Sequence, residues 1–293
     1  MGTGQYFAQA APEDRRRRRC ACLSLQILRQ GGVFPLNGRY QDVYRAPAGA
    51  KHAVLLLHGI LSAPQYFDFL LPEIPANWAV SGILLEGHGG RPVALGRTRM
   101  AVWQKQAEEA LCDLMQHYPH IVIAAHSMGT LFAVRLALKY PDRISGMLLL
   151  GVPVYAHLTA FGACGALLCA AGYRPVKAPR LCAMRNAFSI SPDWNPLHYL
   201  GWIPRYRELF AEIAHMRGCY RRLTVPSAAY QSARDEFVSL RSLETLQQSQ
   251  AIRLHVLRHA SHFYYPADEQ ARILCTWRRM LRMVSGKRCQ ATD

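Results

Sequence analysis

A single serine, Ser127, stands where a strand pattern changes into a helical pattern. Residues 121–125 are apolar and partly β-branched, which predicts a buried strand, and from residue 128 to 140 apolar side chains recur every three or four positions, which predicts a helix. Ala125 and Gly129 are small, as residues two before and two after the serine of a nucleophile elbow must be. This spacing indicates a hydroxyl nucleophile at a helix N-terminus; the alternative is a serine that only caps the helix.

A glycine after an earlier strand pattern supplies the second chemical element. Residues 53–57 form a continuous apolar run, typical of a strand buried on both faces of a parallel sheet, and His58, Gly59 and Ile60 follow it. The backbone N–H groups of Ile60 and of Met128, the residue after the serine, would together stabilise an oxyanion. Taken alone, a His-Gly pair after a strand is equally consistent with a plain turn.

The elements that must position these groups alternate along most of the chain. The pattern predicts further strands at residues 80–85, 144–150, 226–231 and 252–257, helices at 101–117 and 266–283, and a strand-like segment at 33–45 with a hairpin turn at 37–38. The glycine-rich loop at 86–90 contains His88, an alternative catalytic base. No residue that would orient its ring follows it, so a role in stabilising the loop is favoured.

Composition narrows the class of protein. The chain has 293 residues, of which 51% are hydrophobic, enough for one large α/β core with an insertion. No run approaches the roughly 18 uninterrupted apolar residues of a membrane span, which predicts a soluble protein. Nine cysteines without a C-x-x-C spacing favour a reducing compartment, the cytoplasm, over a disulfide framework, and they form no zinc-binding set.

The N-terminal residues differ from the rest. Five consecutive arginines occupy positions 15–19, and the apolar stretch after them is short and broken by polar residues. A secretory signal needs a longer apolar region, so residues 1–32 are predicted to be a flexible basic tail. An arm that binds a membrane surface or nucleic acid is the alternative, and no specific nucleic-acid binding is expected.

These segments resemble the α/β-hydrolase superfamily, in particular its bacterial carboxylesterase and monoacylglycerol lipase group. The resemblance rests on L-L-L-H-G-I-L-S-A at 55–63, E-G-H-G at 86–89 and A-H-S-M-G at 125–129, and it extends from about residue 50 to 283. Ala125 replaces the usual first glycine of the elbow. The resemblance implies an α/β-hydrolase fold, in which helices flank a mostly parallel sheet and a helical cap is inserted, with no metal or organic cofactor.

The resemblance also implies the remaining two catalytic residues. The acid of this superfamily follows a strand in the form x-x-x-D-x-x-V, which falls on Asp235; Glu236 is the adjacent competitor, but its side chain would point another way from a turn. The base follows two small residues, which assigns it to His262, with His259 a poorer match because it precedes them. Serine at 261, in place of the usual glycine, asks for a slightly different loop. The order Ser127, Asp235, His262 is the order expected for this fold.

Residues 152–223, the cap segment, lack the strand–helix alternation. Their aromatic side chains either line a pocket for a hydrophobic substrate or form the segment's own core: Trp194, Tyr199, Trp202, Tyr206 and Phe210. Residues 172–223 include nine lysines and arginines and three acidic residues, an excess of six positive charges. With the whole-chain charge of +16, this favours weak contact with anionic lipid surfaces or acidic substrates.

The predicted organisation is a tail at 1–32, a hydrolase core at 33–151 and 224–285, the cap segment, and a tail at 286–293. The predicted activity is a serine carboxylic-ester hydrolase, carboxylesterase or monoacylglycerol lipase-like, that forms an acyl-enzyme on Ser127 with His262 as base and Asp235 orienting it. Its partner is a small acyl ester or lipid. The alternatives are an acyltransferase or thioesterase with the same triad, and a non-catalytic binding protein of the same fold.

Overall fold

The computed structural model describes residues 40–286. The predicted basic tail at 1–32, the turn at 37–38 and residues 287–293 lie outside this range. Within it, the predicted mostly parallel sheet flanked by helices is confirmed.

Within residues 40–286, a seven-stranded sheet forms the centre. Its strands are β1 (Val43–Arg45), β2 (His52–Leu57), β3 (Ala79–Gly82), β4 (His120–His126), β5 (Ile144–Leu150), β6 (Ser227–Ser232) and β7 (Ile252–Leu257). They lie in the order β1-β3-β2-β4-β5-β6-β7, and only β1 runs antiparallel to its neighbour. The carboxyl ends of β2, β4, β5, β6 and β7 therefore meet at one edge, where ligands bind in open α/β sheets.

Eight α-helices accompany the sheet in the described part of the chain. They are α1 (Pro92–Arg97), α2 (Met100–His117), α3 (Met128–Lys139), α4 (Ala160–Ala170), α5 (Pro179–Ala187), α6 (Trp202–Met216), α7 (Ser242–Leu246) and α8 (Ala267–Val284). Alternate residues of β2 enter two different cores: Leu55 packs with α2 and α3 on one face, and Leu56 packs with α8 on the other. Burial on both faces explains the unbroken apolar run in the sequence.

The strand predicted at 80–85 is shorter than expected. β3 ends at Gly82, and the chain then leaves the sheet, although Leu85 is fully buried. Backbone N–H groups beyond the strand find side-chain acceptors instead: Leu84 donates to Asp42 Oδ1 at 2.6 Å and Leu85 to His58 Nε2 at 3.0 Å. Apolar content alone could not distinguish these buried loop residues from strand residues.

The cap segment contains α4, α5 and α6, between β5 and β6. Eleven of the fourteen exposed large apolar side chains in residues 40–286 belong to it, among them Trp194 and Phe210. Tyr199, Trp202 and Tyr206 are half-buried, with Tyr199 and Trp202 in edge-to-face contact at 4.9 Å. These five aromatic residues are therefore divided between a small core and the surface. In residues 40–286 no helix combines the length and apolarity that a bilayer crossing requires.

Candidate active site

Ser127 occupies a strained turn between β4 and α3. Its φ of 50° and ψ of −124° are rarely adopted by residues other than glycine, so the surrounding structure must hold this conformation. The Ser127 carbonyl accepts hydrogen bonds from the Thr130 N–H at 2.9 Å and hydroxyl at 2.7 Å. A Cβ at Gly129 would lie 2.1 Å from the Leu57 carbonyl oxygen, which explains the need for glycine there. Ala125 fits with no exposed surface.

The turn after β2 lies against this serine. A Cβ built on Gly59 would be 2.9 Å from the Ser127 Cβ, so the two backbones are in close contact. The Ser62 N–H closes the turn on the Gly59 carbonyl at 3.2 Å, with Leu61 at a φ of 61°. In residues 40–286, Leu61 and Ser127 are the two residues other than glycine with positive φ. The backbone N–H groups predicted to bind an oxyanion belong to Ile60 and Met128. These two residues directly follow Gly59 and Ser127, whose backbones are in contact.

Asp235 and His262 form a buried pair after β6 and β7. The His262 Nδ1 and the Asp235 Oδ2 are 2.8 Å apart, and both side chains are at most 3% exposed. The second carboxylate oxygen, Oδ1, accepts the N–H groups of Phe237 and Val238, each at 2.8 Å. Because Oδ1 is committed to the backbone, Oδ2 is fixed on the imidazole. A carboxylate in this position holds Nδ1 protonated and leaves Nε2 free to accept a proton.

The end of β5 contacts both the serine and this pair. The Ser127 N–H donates to the Leu150 carbonyl at 2.9 Å, and the next residue, Gly151, has a φ of 60°. A Cβ on Gly151 would lie 3.3 Å from His262 Cε1 and 3.7 Å from Asp235 Oδ2. The glycine therefore lets the imidazole pack directly against the backbone beside Ser127. Gly151 was not predicted from the sequence, although a glycine directly after a buried strand was the available signal.

The alternative acid and the alternative bases make other contacts. Glu236 is buried but accepts the backbone N–H of His262 at 2.9 Å and contacts no imidazole nitrogen of that residue. His259 is exposed. His88 packs between His58 and Trp103, and its Nδ1 lies 3.1 Å from the Leu85 carbonyl oxygen. His88 is a loop residue here, consistent with the interpretation favoured by the sequence.

The loop that carries His262 accommodates serine at 261 without strain. The Ser261 N–H donates to the Tyr264 carbonyl at 2.8 Å, and its backbone has a negative φ, so the glycine usual in the resembled superfamily is unnecessary. Glu269, in the first turn of α8, accepts the N–H groups of His259 and Ala260. The loop geometry is therefore set by two buried carboxylates, Glu236 and Glu269, whose roles the sequence did not reveal.

Two further buried histidines support the site. His58 donates from Nδ1 to the Gly59 carbonyl at 2.8 Å and accepts the Leu85 N–H at Nε2, which requires the neutral ring. His126 donates from Nε2 to the His262 carbonyl at 3.1 Å and stacks on Tyr66 at 3.9 Å. Burial lowers the pKa of His58 to about 4 and lowers the pKa values of His126 and His88 well below their usual range. These rings are held neutral and hydrogen-bonded.

The buried histidines make stability depend on pH. The folded-state pKa of His58 is about 4, below the 6.5 of a free imidazole, so the unfolded chain binds the proton first. The contribution of the neutral His58 ring to the free energy of unfolding is complete above pH 6.5 and is lost as the pH falls toward 4. We expect the free energy of unfolding, measured by urea titration, to fall by about 2 kcal/mol between pH 7 and pH 5 from His58 alone.

The control for this prediction is an exposed histidine of the same chain. His58→Gln should reduce the slope of stability against pH, and His215→Gln, which removes an exposed ring, should leave the slope unchanged. A free energy of unfolding that is the same at pH 7 and pH 5 would contradict the neutral, buried state of these histidines.

A cavity of 340 Å³ adjoins the site on the side of α5. Its wall includes Tyr66, which stacks on His126, and Phe263, which follows His262 and packs edge-on against that imidazole at 4.7 Å. The rest of the wall consists of aromatic rings, amide side chains and two alanines of α5. Ser127 is half-buried and is not part of this wall. The cavity therefore lies beside His126 and His262 and does not enclose the serine.

Part of this chain is similar in sequence to known hydrolases. A family model described as the alpha/beta hydrolase fold matches residues 52–168. A pimeloyl-[acyl-carrier protein] methyl ester esterase of Neisseria meningitidis serogroup A is 33% identical over 124 residues, which cover 42% of this chain and 36% of the relative. One of Aromatoleum aromaticum is 34% identical over 98 residues, 33% of this chain and 36% of the relative. The matches thus span less than half of these relatives.

Solved structures resemble the chain over a greater length. One, described with the metagenome-derived lipolytic enzymes LipS and LipT, has a TM-score of 0.65 at 20% identity and covers 85% of this chain and 100% of its own. A carboxylesterase structure from Nitrososphaera gargenis has a TM-score of 0.60 at 16% identity, with 85% and 96% covered. At these identities the likeness shows the fold, and the α/β-hydrolase fold predicted from the sequence is confirmed.

Proposed function

Because this chain has the α/β-hydrolase fold, we propose that it is a serine carboxylic-ester hydrolase that works through an acyl-enzyme on Ser127. The observation that carries the proposal is the convergence at the end of β5. There the strained serine and the buried pair of Asp235 and His262 contact consecutive residues, Leu150 and Gly151. A serine hydroxyl is a weak nucleophile at neutral pH, so it needs a base oriented in this way.

The proposed reaction has two halves. His262 Nε2 takes the hydroxyl proton as the Ser127 Oγ attacks the ester carbonyl, and the same proton then goes to the leaving alkoxide, which departs as an alcohol. Water, deprotonated by His262, attacks the resulting acyl-enzyme, and the carboxylic acid leaves as Ser127 regains its proton. Asp235 holds the imidazole tautomer and stabilises the imidazolium in both halves.

The oxyanion of each tetrahedral intermediate is assigned to the N–H groups of Ile60 and Met128. The close contact between Gly59 and Ser127 supports this assignment, because it places the turn that carries Ile60 beside the serine that precedes Met128. Each such donor is typically worth about 2.7–4 kcal/mol in the transition state. The His58 imidazole fixes the Gly59 carbonyl, so the orientation of this turn is set before a substrate binds.

The proposed substrate is an acyl ester with a hydrophobic part. The named relatives are esterases, and the aromatic wall of the neighbouring cavity and the apolar surface of the cap segment favour an apolar group. A carboxylesterase and a monoacylglycerol lipase-like enzyme both fit this description. In this proposal residues 40–151 and 224–285 form the hydrolase core and residues 152–223 form its cap.

The test is hydrolysis of p-nitrophenyl esters from C2 to C16, with a pimeloyl methyl ester added because that is the ester named for the relatives. We expect turnover that depends on chain length and is highest for short or medium acyl groups. A protein that is inert but labelled by a fluorophosphonate would instead favour the acyltransferase or thioesterase alternative. Neither turnover nor labelling would favour a non-catalytic binding role.

Contact of the cap segment with anionic lipid is a second part of the proposal. Its side chains Trp194, Leu197, Leu200 and Ile203 recur every three residues around a 3-10 turn and are 57–82% exposed. The excess of basic residues in this segment favours a negatively charged surface.

We expect more protein to sediment with phosphatidylglycerol vesicles than with phosphatidylcholine vesicles, and Trp194→Ser with Leu197→Ser to abolish the difference. Leu240→Ser, an exposed apolar change outside the cap segment, is the control. Equal sedimentation with both lipids would contradict this contact.

The proposed location is the cytoplasm. The sequence feature that supports this location is nine cysteines without a C-x-x-C spacing, which favours a reducing compartment.

A further inference from the structure

The buried carboxylate next to the catalytic acid holds the backbone of the catalytic base. Glu236 is 1% exposed, and its Oε2 accepts the His262 N–H at 2.9 Å. Its Oε1 accepts two hydrogen bonds from the Arg180 guanidinium, at 2.5 and 3.1 Å. One carboxylate therefore joins the loop of His262 to α5 of the cap segment.

The cap segment packs around this carboxylate from two helices. Arg180 lies in α5, its guanidinium stacks on the Phe161 ring of α4 at 4.4 Å, and it also donates to the Arg234 carbonyl at 3.2 Å. The Glu236 carbonyl accepts the N–H of Thr159, the N-cap residue of α4, at 3.1 Å. A Cβ on Gly162 would lie 2.9 Å from the Glu236 Cβ, so α4 approaches as closely as glycine permits.

We propose that Glu236 is a positioning residue for His262, and that Arg180 couples the position of Glu236 to the packing of the cap segment on the core. The inference rests on the proposed function, because it assigns His262 to catalysis. Asp235 fixes the ring of His262, and Glu236 fixes the backbone from which that ring projects. Both must hold for the imidazole to reach the serine, since a displacement of about 1 Å costs about a hundredfold in rate.

The chemistry of the two oxygens explains why a carboxylate is needed. Both oxygens of Glu236 accept hydrogen bonds, one from His262 and one from Arg180. A glutamine has one acceptor oxygen and would direct its NH₂ group toward one of these two donors. Loss of Arg180 would leave a buried carboxylate without its charge partner, which is strongly unfavourable and would draw Glu236 away from His262.

The test compares variants of the full chain on p-nitrophenyl butyrate. We expect Glu236→Gln to lower kcat by about tenfold to a hundredfold with KM changed less than about threefold, because His262 acts in the chemical steps. Arg180→Met should lower kcat by about tenfold, and Arg180→Lys, which keeps the charge, should recover most of it. The double variant should fall no further than Glu236→Gln alone, because both changes break one connection.

The matched control is another ion pair between the core and the cap segment. Arg135 of α3 contacts Glu212 of α6 at 2.9 Å, away from the loop of His262, so Arg135→Met should leave kcat within about twofold of the wild type. Equal losses in Arg135→Met and Arg180→Met would overturn the inference in favour of general anchoring of the cap segment. An unchanged kcat in a folded Glu236→Gln would overturn it as well.

The outcomes also separate this inference from the proposed function. If Glu236→Gln does not fold, as judged by circular dichroism and Tm, the comparison of Arg180→Met, Arg180→Lys and Arg135→Met still decides it. If the wild type hydrolyses esters and Ser127→Ala does not, yet the Glu236 and Arg180 variants match the wild type, only the positioning role is wrong. If the wild type itself is inert on all esters, the proposed function fails first.

Discussion

We expect the Ser127→Ala variant to hydrolyse p-nitrophenyl butyrate about 10⁴–10⁶ times more slowly than the wild type, measured as kcat. Without the hydroxyl no acyl-enzyme forms, and His262 and Asp235 have no nucleophile to activate. What remains is the contribution of the oxyanion donors and substrate binding, which in such triads still exceeds the reaction in water by about 10³–10⁴. The fold should be retained, because alanine removes none of the turn's hydrogen bonds, which are made by the Ser127 backbone.

The matched control is a buried serine outside the site. The Ser249 hydroxyl is buried and makes no hydrogen bond in the described structure, so Ser249→Ala should leave kcat unchanged. Retention of more than about 1% of the wild-type kcat in Ser127→Ala would assign the nucleophile to another residue.

Asp235→Asn should lower kcat by about 10⁴-fold while the protein remains folded. The Asp235 Oδ1 accepts two backbone N–H groups, so an asparagine would place its single oxygen there and direct its NH₂ group at His262 Nδ1. The imidazole would then have to accept at Nδ1 and carry its proton on Nε2. In that tautomer it cannot take the proton of Ser127, although the geometry of the site is almost unchanged.

The cap segment offers a control of the same type. Asp193 and His198 also form a carboxylate–imidazole pair, with Oδ2 and Nδ1 2.7 Å apart, and Asp193→Asn should leave kcat within about twofold of the wild type. A kcat for Asp235→Asn within about tenfold of the wild type would show that this carboxylate does not set the tautomer.

Much of the fold could be predicted because the central strands β2, β4 and β5 are buried on both faces. Strands β5 and β7 have their predicted bounds, although β7 is an edge strand in which Arg253 and Val256 are exposed. Helices α3 and α8 differ from prediction by one residue at one or both ends. Burial on both faces produces continuous apolar segments, and glycine or polar residues end them. The shortened β3 was missed because Leu84 and Leu85 satisfy their backbone N–H groups with side chains, which no local pattern indicates.

In the candidate site, the predictable residues were those whose side-chain chemistry and order along the chain both match a known pattern. Ser127 stands at a recognisable strand–helix junction, and the resemblance supplied Asp235 and His262. The roles proposed for Glu236 and Arg180 were not predictable, because they depend on a contact between residues 56 positions apart in sequence. In the sequence Glu236 is only a competitor for the acid, and a buried carboxylate beside Asp235 carries no local sign of its partner.

The central claim, a nucleophile at Ser127, is tested most directly by mass spectrometry of the intact protein after reaction with a fluorophosphonate. We expect one phosphonyl group per chain, found on the peptide that contains Ser127, and no adduct on the Ser127→Ala or His262→Ala variants under the same conditions. An unmodified wild-type protein, or an adduct on another residue that persists in Ser127→Ala, would contradict the assignment of Ser127 as the nucleophile.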